Sequence, residues 1–228
     1  VSEADRANTL RTIRNDNVRV EVVPNGVDCT HNRPGLVEKQ PFSLVYNGAL
    51  TYSANYDAMG YFLAEIYPLI REQVPETNLT ITGSLSGVDL SGLALDETVR
   101  LTGYVEDVRI PVGGSAVCVT PIREGGGTRL KILEAMALGT PVVSTSKGAE
   151  GLEVTPDEDV LLADDPAEFA AQVVRLLRDS SLRERLAANA RRLVEGRYDW
   201  GQIGEEFVEL VEDVVHRRGL EGSQYRDR

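Results

Sequence analysis

Cysteine and histidine are scarce in this sequence, and their scarcity excludes several classes of protein. The 228 residues include two cysteines, Cys29 and Cys118, and two histidines, His31 and His216. Two cysteines do not build a disulfide framework, and no Cys or His spacing matches a zinc motif. Such a composition is typical of the reducing cytoplasm, which we expect to be the compartment of this chain.

Basic residues are also in the minority. The 36 acidic residues outnumber the 24 lysines and arginines, so the net charge is −12. Nucleic-acid binders present a basic surface and anionic membranes attract basic segments, so neither is an expected partner of this chain. No apolar run reaches the roughly 20 residues of a membrane span, and we find no signal-peptide pattern. Attachment to a membrane through a further segment stays open.

The sequence has instead a regular alternation of short apolar runs and longer helical patterns. Runs rich in Val, Ile and Leu predict strands at residues 18–23, 43–46, 79–82, 99–101, 116–120, 141–144 and 160–162. Several runs are continuously apolar, as in strands buried on both faces of a parallel sheet. Helical spacing predicts helices at residues 2–14, 55–72, 130–138, 166–178, 181–195 and 203–217. The alternation predicts an α/β fold with a doubly wound sheet, which binds ligands at the carboxyl ends of its strands.

The most informative segment, residues 121–141, reads PIREGGGTRLKILEAMALGTP. Its three consecutive glycines follow an apolar strand and let a ligand approach the backbone closely. Thr128 is a suitable N-cap for the helix that begins next, and Gly139 ends that helix. The segment therefore predicts a glycine-rich turn from a strand into a helix.

The charges around this turn favour an anion. Arg129 and Lys131 fall in the first helical turn, where the helix dipole is already positive. Residues 108–149 carry five cations and two acids in an otherwise acidic chain. A phosphate group would satisfy the free amides, the dipole and both cations. We therefore expect Arg129 and Lys131 to hold the phosphate together. The alternative, since neighbours two apart on a helix lie on different faces, is that only one serves it, and then we expect Lys131, which reaches back toward the turn better.

A purely structural interpretation of the same residues stays open. The glycines could form a tight turn, and Lys131 could pair with Glu134 three residues later. Neither a Walker A GKS or GKT sequence nor a GxGxxG motif is present. Glu134 itself lies about 7–8 Å along the helix from the predicted N-cap. This distance matches the span from a pyrophosphate to the ribose of the same nucleotide. The alternative for Glu134 is an exposed helical glutamate.

Four motifs in order resemble a known family. The run LKILEAMALGTPVVST at residues 130–145 resembles the signature of the group 1 glycosyltransferases, the retaining family 4 enzymes of GT-B fold. VVPNGVD at 22–28 resembles the hinge between their two domains, and LTGYVEDV at 101–108 resembles the segment next to the donor base. YDW at 198–200 is similar to the element before their C-terminal helix.

This resemblance implies a domain organisation. Residues 1–40 would be the remnant of an N-terminal domain with the hinge or linker, and 41–196 the Rossmann-like domain that binds a nucleotide-sugar. Residues 197–228 would be a C-terminal helix and tail. The acceptor-binding N-terminal domain is expected to be missing from this chain, so we expect the chain alone to be inactive.

The resemblance also assigns roles to residues. Glu134 matches the second Glu of the family's Glu-x7-Glu motif, which binds the ribose. Eight places back stands Gly126, so the nearest carboxylate, Glu124, becomes the candidate catalytic residue. The candidate donor-binding residues are Gly48, Gly125, Gly126, Gly127, Thr128, Arg129, Leu130, Lys131 and Glu134. Many members carry a basic pair near the first strand, but residues 46–57 here hold no cation, and Arg129 and Lys131 are expected to replace it.

The expected function is transfer of a sugar, with retention, from a UDP- or GDP-type nucleotide-sugar to an acceptor glycan or lipid-linked sugar, as in polysaccharide biosynthesis. No metal and no resident cofactor is implied, and the missing domain could bring peripheral membrane association. Two alternatives stay open: a nucleotide-sugar epimerase on the same fold, whose catalytic carboxylates and histidine we do not find, and a non-catalytic nucleotide-binding module.

Overall fold

A computed structural model describes residues 2–13, 18–125 and 129–224, with the side chains of Ala4 and of residues 217–224 excepted. Its centre is a sheet of six parallel strands in the order β3-β2-β1-β4-β5-β6. The strands are β1 Gln40–Asn47, β2 Asn78–Thr82, β3 Val99–Gly103, β4 Ser115–Thr120, β5 Val142–Ser144 and β6 Leu161–Leu162. The predicted doubly wound sheet is confirmed.

Eight α-helices accompany the sheet in the described part of the chain. They are α1 Glu3–Thr12, α2 Ser53–Tyr61, α3 Tyr67–Gln73, α4 Arg109–Gly113, α5 Leu130–Ala137, α6 Pro166–Arg178, α7 Ser180–Arg197 and α8 Trp200–Gln224. Asp165 and Asp179 cap α6 and α7 by accepting hydrogen bonds from first-turn amides. The short α4 was not predicted, because five residues with a proline show no helical period.

The two faces of the sheet are covered by different helices. Along β1, Leu44 and Tyr46 pack with residues of α2, α3 and α6, whereas Val45 packs with residues of α5 and α7. Along β4, Val117 and Val119 join the first cluster and Cys118 the second. Both sets are apolar because both faces are buried, which explains the continuously apolar runs. Burying each such side chain fully contributes about 1.5–3 kcal/mol.

Both cysteines lie in the second of these clusters. Cys118 is fully buried in β4, and Cys29 is buried in the segment before β1, where the guanidinium of Arg191 holds its carbonyl oxygen. Burial raises the pKa of each thiol to about 12. Both side chains are free thiols.

One predicted strand is wrong. Residues 18–23 form no regular structure, although their alternation is typical of a strand. The segment lies beside α1 and α8, with Arg6 donating to the Val20 carbonyl and Arg19 paired with Asp213 at 2.7 Å. These partners are side chains and not a strand edge, so no ladder of backbone hydrogen bonds forms.

The helix predicted at 55–72 is interrupted. Residues Phe62–Ile66 form a π-helical turn between α2 and α3, and the amide of Tyr67 donates to the carbonyl of Phe62, five residues back. Pro68 follows directly and has no amide hydrogen to donate to an α-helical partner. The wider turn accommodates the proline inside an otherwise continuous helix.

The start of α5 differs from the prediction. Arg129, and not Thr128, takes the N-cap position, and its side chain accepts no cap hydrogen bond within the described residues. The helix ends as predicted, at Gly139 with φ +71°. Gly126, Gly127 and Thr128 lie outside the described residues.

The last helix, α8, keeps an apolar stripe exposed. Its large exposed side chains are Trp200, Phe207, Val208, Val211, Val214 and Val215. Across the described residues, no helix has the length and hydropathy needed to cross a membrane.

Candidate functional site

The candidate site lies where the strand order reverses, between β1 and β4. Helix α2 follows β1 on one face of the sheet, and α5 follows β4 on the other. The carboxyl ends of β1 and β4 therefore open into a crevice between two helices. Open α/β sheets bind their ligands in such a crevice.

Lys131 spans this crevice from the first turn of α5. Its ammonium nitrogen donates to the Tyr46 hydroxyl at 2.9 Å and to the Asn55 side-chain oxygen at 2.8 Å. It also lies 4.2 Å from the centre of the Tyr46 ring. Tyr46 belongs to β1 and Asn55 to α2, so a side chain of one helix reaches the elements on the opposite face of the sheet.

The charge of Lys131 is held without a carboxylate partner. Among the described side chains, no acidic oxygen forms an ion pair with its ammonium group. Burial, together with the charge of Arg129, lowers the pKa of Lys131 to about 8, whereas Cys118 and Glu134 act in the opposite direction. A partly buried cation whose hydrogen-bond partners are neutral oxygens attracts an anion.

Gly48 leaves the room that this arrangement requires. A Cβ at this position would lie 2.7 Å from the Lys131 ammonium and 3.0 Å from both the Asn55 amide nitrogen and the Tyr46 ring. No larger residue fits there without displacing them. The Lys131 ammonium therefore lies directly against the backbone at the carboxyl end of β1.

Glu134 turns toward the same strand ends. Its carboxylate accepts a hydrogen bond from the Asn47 amide at 2.7 Å, and the Thr82 hydroxyl donates to the Asn47 oxygen at 3.2 Å. Burial raises the pKa of Glu134, although the Asn47 amide opposes this. The hydrogen bonds from Thr82 to Asn47 and from Asn47 to Glu134 therefore run across the carboxyl ends of β2 and β1. Glu134 does not lie on an exposed helix surface. No ion pair joins it to Lys131 within the described residues.

Arg129 lies apart from Lys131. Its guanidinium donates to the carbonyl oxygens of Gly125, at 3.1 Å, and Lys147, at 3.2 Å. The residue is only 6% exposed. Arg129 therefore joins the glycine-rich turn to the segment that follows β5.

The glycine-rich turn begins over the start of α2. Gly125 has φ +91°, a conformation that favours glycine, and a Cβ there would meet Ala54 at 3.4 Å and the Tyr52 hydroxyl at 3.5 Å. Gly126, Gly127 and Thr128 of the predicted site are outside the described part of the chain. Leu130 is 42% exposed at the beginning of α5.

Glu124 lies in a neighbouring cleft of about 710 Å³. The lining comes from the β1–α2 loop, helix α2 along its length and the loop after β2, and it includes Tyr56, Asp57, Tyr61, Ser86 and Asp89. The adjacent Arg123 pairs with Asp57 at 2.6 Å and lies 4.2 Å from the centre of the Tyr61 ring. Glu124 is exposed and makes none of the contacts that join Lys131, Glu134 and Gly48.

Comparison with known proteins decides the family. Residues 41–179, more than half of the chain, match the family model of the glycosyl transferases group 1. The chain belongs to the group 1 glycosyltransferases. The predicted family is therefore confirmed.

Individual relatives agree with this assignment. The chain is 30% identical, over 159 residues, to a phosphatidyl-myo-inositol mannosyltransferase of Mycobacterium leprae, covering 67% of this chain and 42% of that protein. Two solved structures share the fold. The Anabaena protein HepE in complex with UDP has a TM-score of 0.75, 17% identity and coverage of 93% of this chain and 62% of that one. The C-terminal domain of a group 1 family protein from Francisella tularensis has a TM-score of 0.61, 20% identity and coverage of 77% and 100%.

The match is partial in length. The chain spans about half the length of the curated relatives it matches, with 42% to 58% of each protein covered. This glycosyltransferase domain thus corresponds to one part of longer proteins.

The structure groups the sequence-predicted residues of this glycosyltransferase domain into three places. Gly48, Lys131 and Glu134 meet at the end of β1, Arg129 with Gly125 anchors the turn, and Glu124 faces the cleft beside α2. Sequence reasoning missed Tyr46, Asn47 and Asn55, which hold the two charged groups. A signal was present, because Tyr46 and Asn47 are polar residues directly before a glycine at the end of an apolar strand.

Proposed function

We propose that this domain binds the donor of a retaining glycosyl transfer, a nucleoside diphosphate sugar of the UDP or GDP type. The donor lies in the crevice between β1 and α5, with its diphosphate at Lys131 and its ribose at Glu134. The Anabaena neighbour, solved with UDP, supports a uridine nucleotide as the first ligand to test.

The observation that carries this proposal is the position of Lys131. Its ammonium is partly buried at the switch point of the sheet, against the backbone of Gly48, with neutral oxygens as its hydrogen-bond partners. A diphosphate would supply the missing negative charge. The first turn of α5, whose N-cap residue Arg129 has no acceptor side chain, adds amides and a positive dipole beside it. Preorganised charges of this kind stabilise a diphosphate as it leaves the sugar.

The other predicted residues take roles around this centre. The Glu134 carboxylate accepts hydrogen bonds from the ribose hydroxyls while the Asn47 amide orients it. The segment 101–108, which holds the 79% exposed ring of Tyr104, borders the base. Glu124 contacts the donor sugar from the cleft beside α2. Arg129 fixes Gly125 at the beginning of the turn over which the phosphates lie, and Leu130 lies exposed beside it.

The whole enzyme is proposed to join this domain to an acceptor-binding domain. Transfer would then go to a glycan or a lipid-linked sugar in the cytoplasm, with no resident cofactor and no nucleic acid. The partner domain would also mediate any peripheral contact with a membrane.

Calorimetric titration of UDP, GDP, ADP and the matching nucleosides tests the proposal. Lys131→Met should weaken diphosphate binding about 10- to 100-fold, since a charge-assisted hydrogen bond contributes about 1.5–3 kcal/mol. Nucleoside binding should change little. Lys39→Met is the matched control, because that ammonium contacts Thr140 at the amino end of the sheet. Unchanged UDP, GDP and ADP binding by Lys131→Met would remove the site assignment and leave the family assignment standing.

A further inference from the structure

The side chains of Lys131, Tyr46 and Asn55 are joined pairwise by hydrogen bonds. The Asn55 oxygen accepts from the Lys131 ammonium at 2.8 Å and from the Tyr46 hydroxyl at 2.7 Å. The Tyr46 oxygen accepts from the same ammonium at 2.9 Å. Two neutral oxygens and one aromatic face, contributed by β1 and α2, therefore surround the charge.

The side-chain nitrogen of Asn55 fixes the orientation of the amide group. Its nitrogen donates to the Ala49 carbonyl at 2.8 Å, in the loop directly after Gly48. This bond leaves the oxygen, and not the nitrogen, toward Lys131. Asn55 is only 9% exposed, so water does not readily replace its oxygen as an acceptor. The amide thus couples the β1–α2 loop to the side chain that crosses the crevice.

We propose that Asn55 is a positioning residue for the donor diphosphate, which holds the Lys131 ammonium in its charged form against Gly48. This inference rests on the proposed function of the same site. An acceptor oxygen favours the protonated lysine, whereas burial favours the neutral amine. Asn55 therefore keeps a buried lysine charged near neutral pH, where the incoming anion needs it.

Among the described groups around Lys131, Asn55 and Tyr46 are the two that accept hydrogen bonds from its ammonium. Cys118 on β4 and Tyr46 on β1 are neutral, because burial raises the pKa of both side chains far above neutrality. Arg129 opposes the charge of Lys131, and Glu134 supports it without forming an ion pair. Since burial brings the pKa of Lys131 to about 8, a small change in its acceptors changes its charge within the working range of pH.

A consequence is that diphosphate binding takes up a proton above pH 8. The anion raises the pKa of Lys131, so UDP affinity should fall as pH rises through the pKa of the free protein. The phosphates of UDP are largely ionised above about pH 7, since the last phosphate pKa is about 6. Uridine carries the same base N–H as UDP, so a fall in UDP affinity that uridine does not share is a property of the protein.

The experiment follows the lysines directly. The chain has three, Lys39, Lys131 and Lys147, so selective 13C labelling at Cε gives three signals whose titration is read by NMR. Asn55→Ala should lower the titration midpoint of Lys131, because it removes an acceptor. Asn55→Asp should raise it by about one pH unit or more, because it adds a negative charge within hydrogen-bond distance. Lys39 is the internal control and should not move, and Lys→Arg variants assign the signals.

Binding is then measured on the same variants. The pH at which UDP affinity begins to fall should move down in Asn55→Ala and up in Asn55→Asp, with uridine affinity unchanged in both. At pH 8 the alanine variant should bind UDP about fivefold more weakly, because a midpoint about one pKa unit lower reduces the protonated fraction of Lys131 from about a half to about a tenth. If Asn55→Ala does not fold, Tyr46→Phe removes the second acceptor and should move the midpoint in the same direction.

The outcomes separate the two proposals. If the Lys131 midpoint is the same in the parent and both Asn55 variants, the positioning role is wrong, whatever the protein binds. If the midpoints move in opposite directions but the parent binds no nucleoside diphosphate, Asn55 does hold the charge and the proposed donor site is wrong. Opposite movements together with matching UDP profiles support both.

Discussion

Two cations at the start of one helix have different environments. Lys131 crosses to β1 and α2, whereas the guanidinium of Arg129 turns back onto the carbonyls of Gly125 and Lys147. The dipole argument from sequence alone treats them alike, since both stand at the positive end of α5. Burial and hydrogen bonding distinguish them, because Arg129 links two loops and Lys131 faces the crevice.

The first prediction concerns the stability contributed by Arg129. The sequence suggests that Arg129→Ala leaves the fold intact or slightly more stable, because a cation leaves a positive helix end. The structure reverses this expectation. Two carbonyls lose a charged donor, so the free energy of unfolding should fall by about 1–3 kcal/mol in urea denaturation. Arg175→Ala, which removes an exposed pair with Asp157, is the control and should change it by less than about 1 kcal/mol. An Arg129→Ala variant as stable as the parent would restore the dipole argument.

The second prediction concerns ligand binding by the Glu134 carboxylate. Glu134→Gln keeps the shape but removes the charge that would accept from two ribose hydroxyls. Affinity for uridine and UDP should fall together, by about 10- to 100-fold, because a hydrogen bond to a charged group contributes about 1.5–3 kcal/mol. Calorimetry of both ligands checks this, with the exposed Glu168→Gln as control. A loss confined to UDP would place Glu134 at the phosphates instead.

At the scale of elements, the end of α5 determines how the helix meets β5. Gly139 has φ +71°, and a Cβ there would lie 3.1–3.2 Å from the ring of Pro34. Gly139→Ala should therefore destabilise the domain by about 1–2 kcal/mol, the cost of a left-handed conformation for an L-residue. Gly196→Ala in α7 is the matched control. A Cβ added at Gly196 would meet no atom within 4 Å, so this change should be neutral or stabilising by up to about 1 kcal/mol. Equal effects in urea denaturation would contradict the argument.

Most elements could be predicted from the sequence because apolar runs and the residues that mark helix ends are both local features. Strands buried on two faces are continuously apolar, and α6 begins and ends at the predicted residues because Asp165, Pro166 and Asp179 mark its limits. The strand predicted at 18–23 was wrong because its partners are distant side chains. The π-helical turn escaped prediction because the helical spacing of apolar residues continues past Pro68, and spacing alone does not show how the backbone accommodates the proline.

The site could be predicted only in part. The spacing within one segment identified Lys131 and Glu134, which stand on a single helix. Asn47 contacts Glu134 across 87 residues of chain, and Asn55 contacts Lys131 across 76. Contacts of this kind depend on how β1, α2 and α5 meet, and no pattern within a window of sequence contains that information. The direction of Arg129 was unpredictable for the same reason.

For the molecule as a whole, the proposal predicts binding without transfer. The chain spans about half of its curated relatives, and the proposed acceptor groups belong to another domain. The purified chain should bind UDP or GDP yet transfer no sugar from UDP-glucose or GDP-mannose to added acceptors, as followed by product chromatography. Slow hydrolysis of the donor is compatible with this, since water can reach an uncovered crevice. Transfer to an acceptor would show that these residues suffice for catalysis.

The two buried thiols give the fold a built-in reporter of its own opening. Cys118 lies in β4 at the centre of the sheet and cannot meet a reagent unless the layers separate, whereas Cys29 is buried in the segment before β1, beside Arg191 of α7. Thiol labelling should therefore be slow and should report how often the domain opens, without any added probe. Labelling at Cys118 would measure the opening of the sheet next to the crevice. A ligand that bridges β1 and α5 should slow this reaction in proportion to its occupancy, so the rate of alkylation becomes a binding assay.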